Sequence, residues 1–264
     1  MGFKAEQDPV ERLRLAVSAR GTDAYEAALQ TLAGVRLTPQ LYDLVDLVGE
    51  VVEERHACMR CDEGCSDCCA QLPIVTFQEW VIIHGWILTN MTLQERREVV
   101  RRCEALVGDD LTVLPRWLAL NGMELDSEEG RDYVDEIFSN ETTPCPMLAS
   151  GRCSIYPVRP LVCRSYGRMM RTEDDALYCQ RIVDKLTPYQ EKHGEFYLPI
   201  YRPYQEKSYE LDGNHSYFTL IPIWVLSHCD ENGDLLGEPV DISGQKEWPV
   251  LDTRWGFAEA FEGD

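Results

Sequence analysis

Eight of the eleven cysteines in this 264-residue chain fall into two knots. The first is Cys61-x3-Cys65-x2-Cys68-Cys69, with Cys58 just upstream. The second is Cys145, Cys153, Cys163 and Cys179, set in CPML, GRCSIYPVRPLVCR and a later YC. Thiols this dense on irregular segments bind metal or form disulfides, and either role dictates what the rest of the chain must wrap around.

The reading of the compartment chooses between the two. The opening MGFKAEQDPVERLRLAV is charged and amphipathic, with no apolar run of the kind a secretory signal carries. The apolar stretch Tyr217–Leu226 is broken by Pro222 and too short to span a bilayer. The sequence therefore predicts a cytoplasmic protein with reduced thiols and no membrane association, where such a pattern favours metal. At 44% hydrophobic and 27% charged residues the chain can bury an ordinary core, so the cysteines are not a substitute for one. The net charge of −21 repels polyanions and argues against nucleic acid as a partner. Only Arg159–Arg171 concentrates positive charge.

Periodicity predicts a mainly helical α+β fold in three parts. Residues 1–55 form an N-terminal helical segment, 56–186 a cysteine-cluster core with irregular loops around a metal site, and 187–264 a C-terminal β extension, the whole making one compact domain. Asp8-Pro9 opens a first helix, a second spans about 22–33, and a third starts at Thr38-Pro39 with Leu41, Leu44, Val45, Val48 and Val52 on one face. Thr76 caps a helix through about Leu88, and Thr92 with Glu95 forms a capping box for a helix to Val107. Weaker helices are expected at 128–139 and 174–185. Aromatic and β-branched residues around Asp212-Gly213-Asn214 and Asn232-Gly233 predict an antiparallel meander over 203–241.

Within the first knot, Cys65 and Cys68 make a CxxC chelate and Cys61 stands close enough to add a third thiolate. Cys68 and Cys69 are adjacent, so their side chains diverge and Cys69 faces a different atom. The four late cysteines are widely spaced and have to be gathered by the fold. Zinc and iron–sulfur clusters both accept thiolates; scattered single cysteines beside Pro144, Pro146 and Pro160 lean toward a cluster, with Zn2+ as the alternative. A four-thiolate cluster is anionic, and Arg159 and Arg164, which bracket Cys163, are the candidate cofactor-binding cations. His56 is the best non-cysteine ligand candidate. His228 and Cys229 read as a strand end, while Cys103 and His84 read as buried helix residues. Asp230–Asp234 lacks the register of a calcium loop and reads as a turn.

These residues resemble the cysteine-cluster family (YkgJ-like, CxxCxxCC) of zinc- or iron-chelating proteins. There CxxxCxxCC is followed by CPxL, CxIYxxRPxxCR and a final cysteine. The matching positions are Cys61, Cys65, Cys68, Cys69, Cys145, Cys153, Ile155, Tyr156, Arg159, Pro160, Cys163, Arg164 and Cys179. The resemblance covers roughly residues 58–182; Cys58 is additional to the pattern. It implies that the eight cysteines of the two knots are metal ligands. A related pattern in flagellin lysine N-methylases implies a second analogy, a protein- or peptide-modifying enzyme. The chain has neither the glycine-rich strand–loop–helix of a Rossmann methyltransferase nor the (β/α) alternation of a radical-enzyme barrel. The expectation is an iron–sulfur protein, [4Fe–4S] in kind, with a redox or cluster-assisted role and an unidentified protein or peptide partner. The alternative is a zinc-stabilised structural module.

Overall fold

The protein's computed structural model describes residues 24–60, 66–107, 113–120, 123, 127–139, 143–171, 180–194, 197–213, 217–245 and 248–252. In chain order these hold α1 (Ala24–Leu32), α2 (Thr38–Arg55), β1 (Ile74–Thr76), α3 (Phe77–Asn90), α4 (Leu93–Val107), α5 (Val113–Leu118) and α6 (Glu128–Ser139). There follow β2 (Leu148–Ala149), β3 (Arg152–Cys153), α7 (Leu161–Ser165), α8 (Gln180–His193), α9 (Arg202–Asp212), β4 (Tyr217–Leu220), α10 (Ile221–Ser227) and β5 (Leu251–Asp252). Short 3-10 turns cover Ala57–Met59, Asp67–Ala70 and Tyr156–Val158. The class is α+β and mainly helical. Among the described residues no helix is long and apolar enough to cross a membrane. The expected helix at Asp8-Pro9 and the acidic tail lie outside the described residues. The chain groups into two compact units, Met1–Asp62 with Leu161–Leu211, and Glu63–Pro160 with Asp212–Asp264.

The first unit is built on α2. Pro39 stands in its first turn, where a missing N–H costs nothing, and Arg55 sits at the negative end of the helix dipole. Leu41, Leu44, Val45, Val48 and Val52 recur at helical spacing and are buried, against α1 and α7. Cys58, Met59, Ile182 and Leu198 close a second apolar cluster around Val52. Across the contact with α7, Arg164 pairs with Asp46 and lies 4.2 Å over the Tyr42 ring, while Arg168 pairs with Glu53. Gly167 ends α7 at φ 75°, and a Cβ there would lie 2.3 Å from Ile182 Cδ1. Alanine at Gly167 is therefore expected to destabilise the first unit by about 1–2 kcal/mol from backbone strain alone, with the clash adding to it; a lowered melting temperature by circular dichroism is the check.

The second unit is built on a three-stranded antiparallel sheet in the order β1-β4-β5, with Ile74 opposite Leu220, Val75 opposite Thr219 and Phe218 opposite both Thr76 and Leu251. β4 is central and every residue of it is buried. Both β1 and β4 run straight into helices. Thr76 caps α3 as expected, with Glu79 completing a capping box, and the expected Thr92–Glu95 box forms at α4. Trp80, Trp117 and Trp224 are the largest fully buried side chains here. Each of two indoles closes a long-range bond, Trp224 Nε1–H to the Val75 carbonyl at 2.9 Å and Trp117 Nε1–H to Thr219 Oγ1 at 3.0 Å.

The meander over 203–241 does not form as expected. Residues 202–212 are helical, supported by the Arg202–Glu206 and Lys207–Glu210 pairs along one flank. Asp212-Gly213 is the helix stop rather than a hairpin turn, with Gly213 at φ 63°. Among the described residues of this stretch only Tyr217–Leu220 forms a strand; Pro222 then falls in the first turn of α10, where its fixed φ starts a helix. The second predicted turn is present. Asp230 Oδ1 accepts the N–H groups of Asn232 and Asp234 at 2.9 Å each, and Cys229 pairs with Leu235 in a single antiparallel bridge.

Candidate metal centre

Cys61, Cys65 and Cys179 lie outside the described residues. The other five predicted ligands separate by unit. Cys68, Cys69, Cys145 and Cys153 belong to the second, whereas Cys163 stands half-buried on α7 in the first.

The second unit brings the two knots together through its backbone. Cys68 and Cys69 ride on the 3-10 turn Asp67–Ala70, and the Cys145 N–H donates to the Cys69 carbonyl at 2.7 Å. From Cys145 the chain turns at once, with Leu148 N–H on the Cys145 carbonyl at 3.0 Å, into the β2–β3 hairpin. Ser150 and Gly151 form its two-residue turn, both at positive φ. The hairpin returns Cys153 opposite Leu148, and Ser154 binds the Met147 carbonyl through both its N–H (2.8 Å) and its hydroxyl (2.7 Å). Cys145 and Cys153 are thus neighbours by local folding, a correction to the expectation that no pair of the late cysteines meets locally. The Ser-Gly doublet was the available signal.

Backbone amides favour the thiolate at both sulfurs, that of Met147 at Cys145 and that of Ile155 at Cys153. Burial acts against them. It pushes the Cys145 thiol up to about 12, with Cys153 and Cys68 adding to the rise and Arg102 opposing it. Burial likewise raises Cys153, against the Ile155 amide and the Arg159 guanidinium, with Cys68 again adding. Three half-buried thiols in electrostatic reach of one another do not all ionise unaided, but a bound cation deprotonates its thiol ligands outright. Cys69, Cys145 and Cys153 are free thiols. The donor chemistry therefore suits a thiophilic metal ion. Among the described residues no three of His, Cys, Asp and Glu stand together as a complete ion site. The CxxC partner Cys65 is not among them.

The predicted cations divide. Arg159 folds over the Tyr156 ring at 4.1 Å, donates to the Tyr156 carbonyl at 3.1 Å and serves Cys153. Arg164 is 4% exposed on α7, with its charge set against Asp46. Arg102, on α4, went unnoticed in the sequence: its Nε–H donates to the Pro146 carbonyl at 2.7 Å, immediately beside Cys145. Nothing in the local pattern of α4 pairs it with a cysteine so distant in sequence.

The remaining candidates take structural places. Cys58 is buried in the first unit's apolar cluster, where burial raises its thiol. His56 caps the end of α2 with its ring edge-on to Tyr189. Cys103 is fully buried on α4, its thiol raised first by burial and then by Cys145 and Cys229. Cys229 Sγ donates to the Val225 carbonyl at 3.1 Å. His228 is a helix cap rather than a strand end. It bonds the Trp224 carbonyl through Nδ1 (2.8 Å) and accepts the Val240 N–H at Nε2 (2.8 Å), so both ring nitrogens are engaged within the fold. Arg97 forks onto Asp234 at 2.7 and 2.9 Å, which fixes the Asp230–Asp234 turn to α4.

Thiols on irregular loops, amide-supported and flanked by arginines, place this segment among cysteine-rich metal-chelating domains. Residues 60–181 match the CxxCxxCC family model, described as a putative zinc- or iron-chelating domain. No curated protein and no solved structure matches the chain.

Proposed function

We propose that this chain holds an iron–sulfur cluster, [4Fe–4S] in kind, with Cys68, Cys145 and Cys153 among its thiolate ligands and a redox or cluster-assisted role. The observation that supports it is the Cys145–Cys69 backbone hydrogen bond, which joins the second knot to the first just before the hairpin that returns Cys153. Hydrogen bonds to cluster sulfurs and nearby cations tune such a centre, and Arg102 and Arg159 are the cations at hand. Cys61, Cys65, Cys69, Cys163 and Cys179 are the further ligand candidates offered by the spacing. The family description names zinc beside iron, which makes a structural zinc site the second reading.

Anaerobic purification followed by iron, sulfide and zinc analysis and a visible spectrum separates the two. The expected result is a brown protein containing iron and sulfide, and bleached in Cys145→Ser and Cys153→Ser. A colourless protein with stoichiometric zinc overturns the iron–sulfur reading. For the methylase analogy, binding of S-adenosylmethionine to the reduced, iron-loaded protein is the corresponding assay; no binding removes it.

A further inference from the structure

A helix of the second unit sets beside the Cys145 turn a cation that the family pattern does not include. Arg102 lies on α4, its side chain 29% exposed. Its Nε–H donates to the Pro146 carbonyl at 2.7 Å. Pro146 has no N–H and a fixed φ, so its carbonyl direction is set by the CPML turn, and Arg102 grips the turn at the residue after Cys145. The same turn is held on its other side by Cys145 N–H on the Cys69 carbonyl. Cys145 thus sits between two anchors, one from the first knot and one from α4.

Charge runs the same way. The bond to Pro146 holds the guanidinium one residue from Cys145. Glu98 stands one turn back on α4, 3.7 Å from Arg102 Nη1, and also pairs with Arg101, so it draws only part of the Arg102 charge away. In a chain of net charge −21 a centre that adds thiolates requires a fixed cation beside it. Arg102 is the cation that its bond to Pro146 holds beside Cys145.

We propose that Arg102 is a positioning residue of the metal centre: it pins the Cys145–Pro146 turn to α4 and supplies the positive charge that offsets the thiolate ligands. This rests on the reading of Cys145 as a ligand, whichever metal is bound. Arg102 acts through Cys145 and touches no substrate.

The test is an anaerobic titration of the full chain, stripped of metal, with Co2+, read by the thiolate-to-cobalt charge-transfer absorption. Cys145→Ser serves as the control. Arg102→Gln removes the charge while keeping an amide that can donate to Pro146. It is expected to weaken Co2+ binding by about 10- to 100-fold, the usual effect of removing an outer-shell partner. Absorption per bound ion should stay the same, as should the thermal midpoint of the metal-free chain. Arg102→Lys, which keeps the charge, should recover most of the affinity. Wild-type affinity in Arg102→Gln overturns the proposal. So does a loss of affinity in Arg102→Gln that Arg102→Lys fails to recover. If Arg102→Gln does not fold, Glu98→Gln decides, because it leaves the Arg102 charge less opposed: tighter Co2+ binding supports the proposal and unchanged or weaker binding overturns it. Co2+ bound equally well by the wild-type chain and by Cys145→Ser instead defeats the reading of Cys145 as a ligand.

Discussion

Trp224→Ala should cost the second unit about 3–5 kcal/mol, a large share of what a domain this size has to lose. The indole is fully buried and stacks on Trp80 (5.9 Å between centroids, 13° between planes) and on Tyr217 (5.7 Å, 29°). Its N–H reaches back to the Val75 carbonyl of β1 from α10, joining segments that the chain brings together only at the end. Alanine removes the stack, leaves a cavity beneath the sheet and strands that carbonyl. Trp224→Phe keeps most of the ring volume but loses the N–H, and should cost about 1–2 kcal/mol. Urea unfolding followed by near-ultraviolet circular dichroism measures both. An alanine variant with the wild-type urea midpoint would falsify the placement of Trp224 in the core.

The parts of this fold that were legible in the sequence are those written within a few residues of themselves. The capping boxes at Thr76–Glu79 and Thr92–Glu95 and the buried stripe of α2 needed no distant partner, and all formed. The sheet was not legible, because β4 pairs with β1 and β5 from far along the chain and a three-residue strand has no periodicity to read. Residues 221–227 failed for a different reason. Ile221–Val225 are all buried, so no amphipathic period could separate helix from strand. The Asp212-Gly213 doublet is the same chemistry in either context, a positive φ at glycine, and only the preceding ion pairs mark it as a helix end.

The site divides along the same line. The cysteine spacing marked the second-unit ligand candidates, and Arg159 was found because it lies in the same sequence run as Cys153. Arg102 belongs to the site through tertiary packing alone, one carbonyl away from Cys145. The hairpin that returns Cys153 opposite Leu148 is written locally, in Ser150-Gly151, inside a Pro-, Gly- and Arg-rich run that otherwise reads as loop. Arg164 shows how an arginine of the family motif can carry a packing load: it is held against Asp46 and Tyr42 within the first unit.

Between pH 4 and 6.5 the stability of the second unit should be nearly flat in the wild-type chain, and steep in Asp212→Asn. Two buried groups titrate there with opposite sign. Burial lowers the His228 imidazole from 6.5 to about 4, while the acceptor bond from Val240 requires its neutral form. Stability from His228 is therefore fully present above pH 6.5 and is lost as pH falls toward 4. The loss is about 3 kcal/mol, at roughly 1.4 kcal/mol per pH unit. His84, lowered by burial in the same way, adds to that side. Asp212 does the reverse. Its Oδ1 accepts the Gln78 N–H at 2.7 Å at the start of α3, but Oδ2 is buried with no partner, and burial raises the carboxyl from 3.8 to about 7. The folded state thus binds a proton on Asp212 that the unfolded state has released. That contribution is fully present below pH 3.8 and fades as pH rises through 7, by about 4 kcal/mol. Over the shared window the unfolded chain holds one extra proton on His228 and the folded chain one extra on Asp212, so these two slopes cancel and only His84 tilts the wild-type curve. Asp212→Asn removes one side: its amide oxygen can still accept the Gln78 N–H, stability at pH 8 should rise by up to about 4 kcal/mol, and acidification to pH 4 should then cost about 3 kcal/mol. His228→Gln should leave the opposite slope. Urea midpoints at half-unit pH steps read both, and parallel curves for the two variants would refute the assignment of the cancellation to this pair.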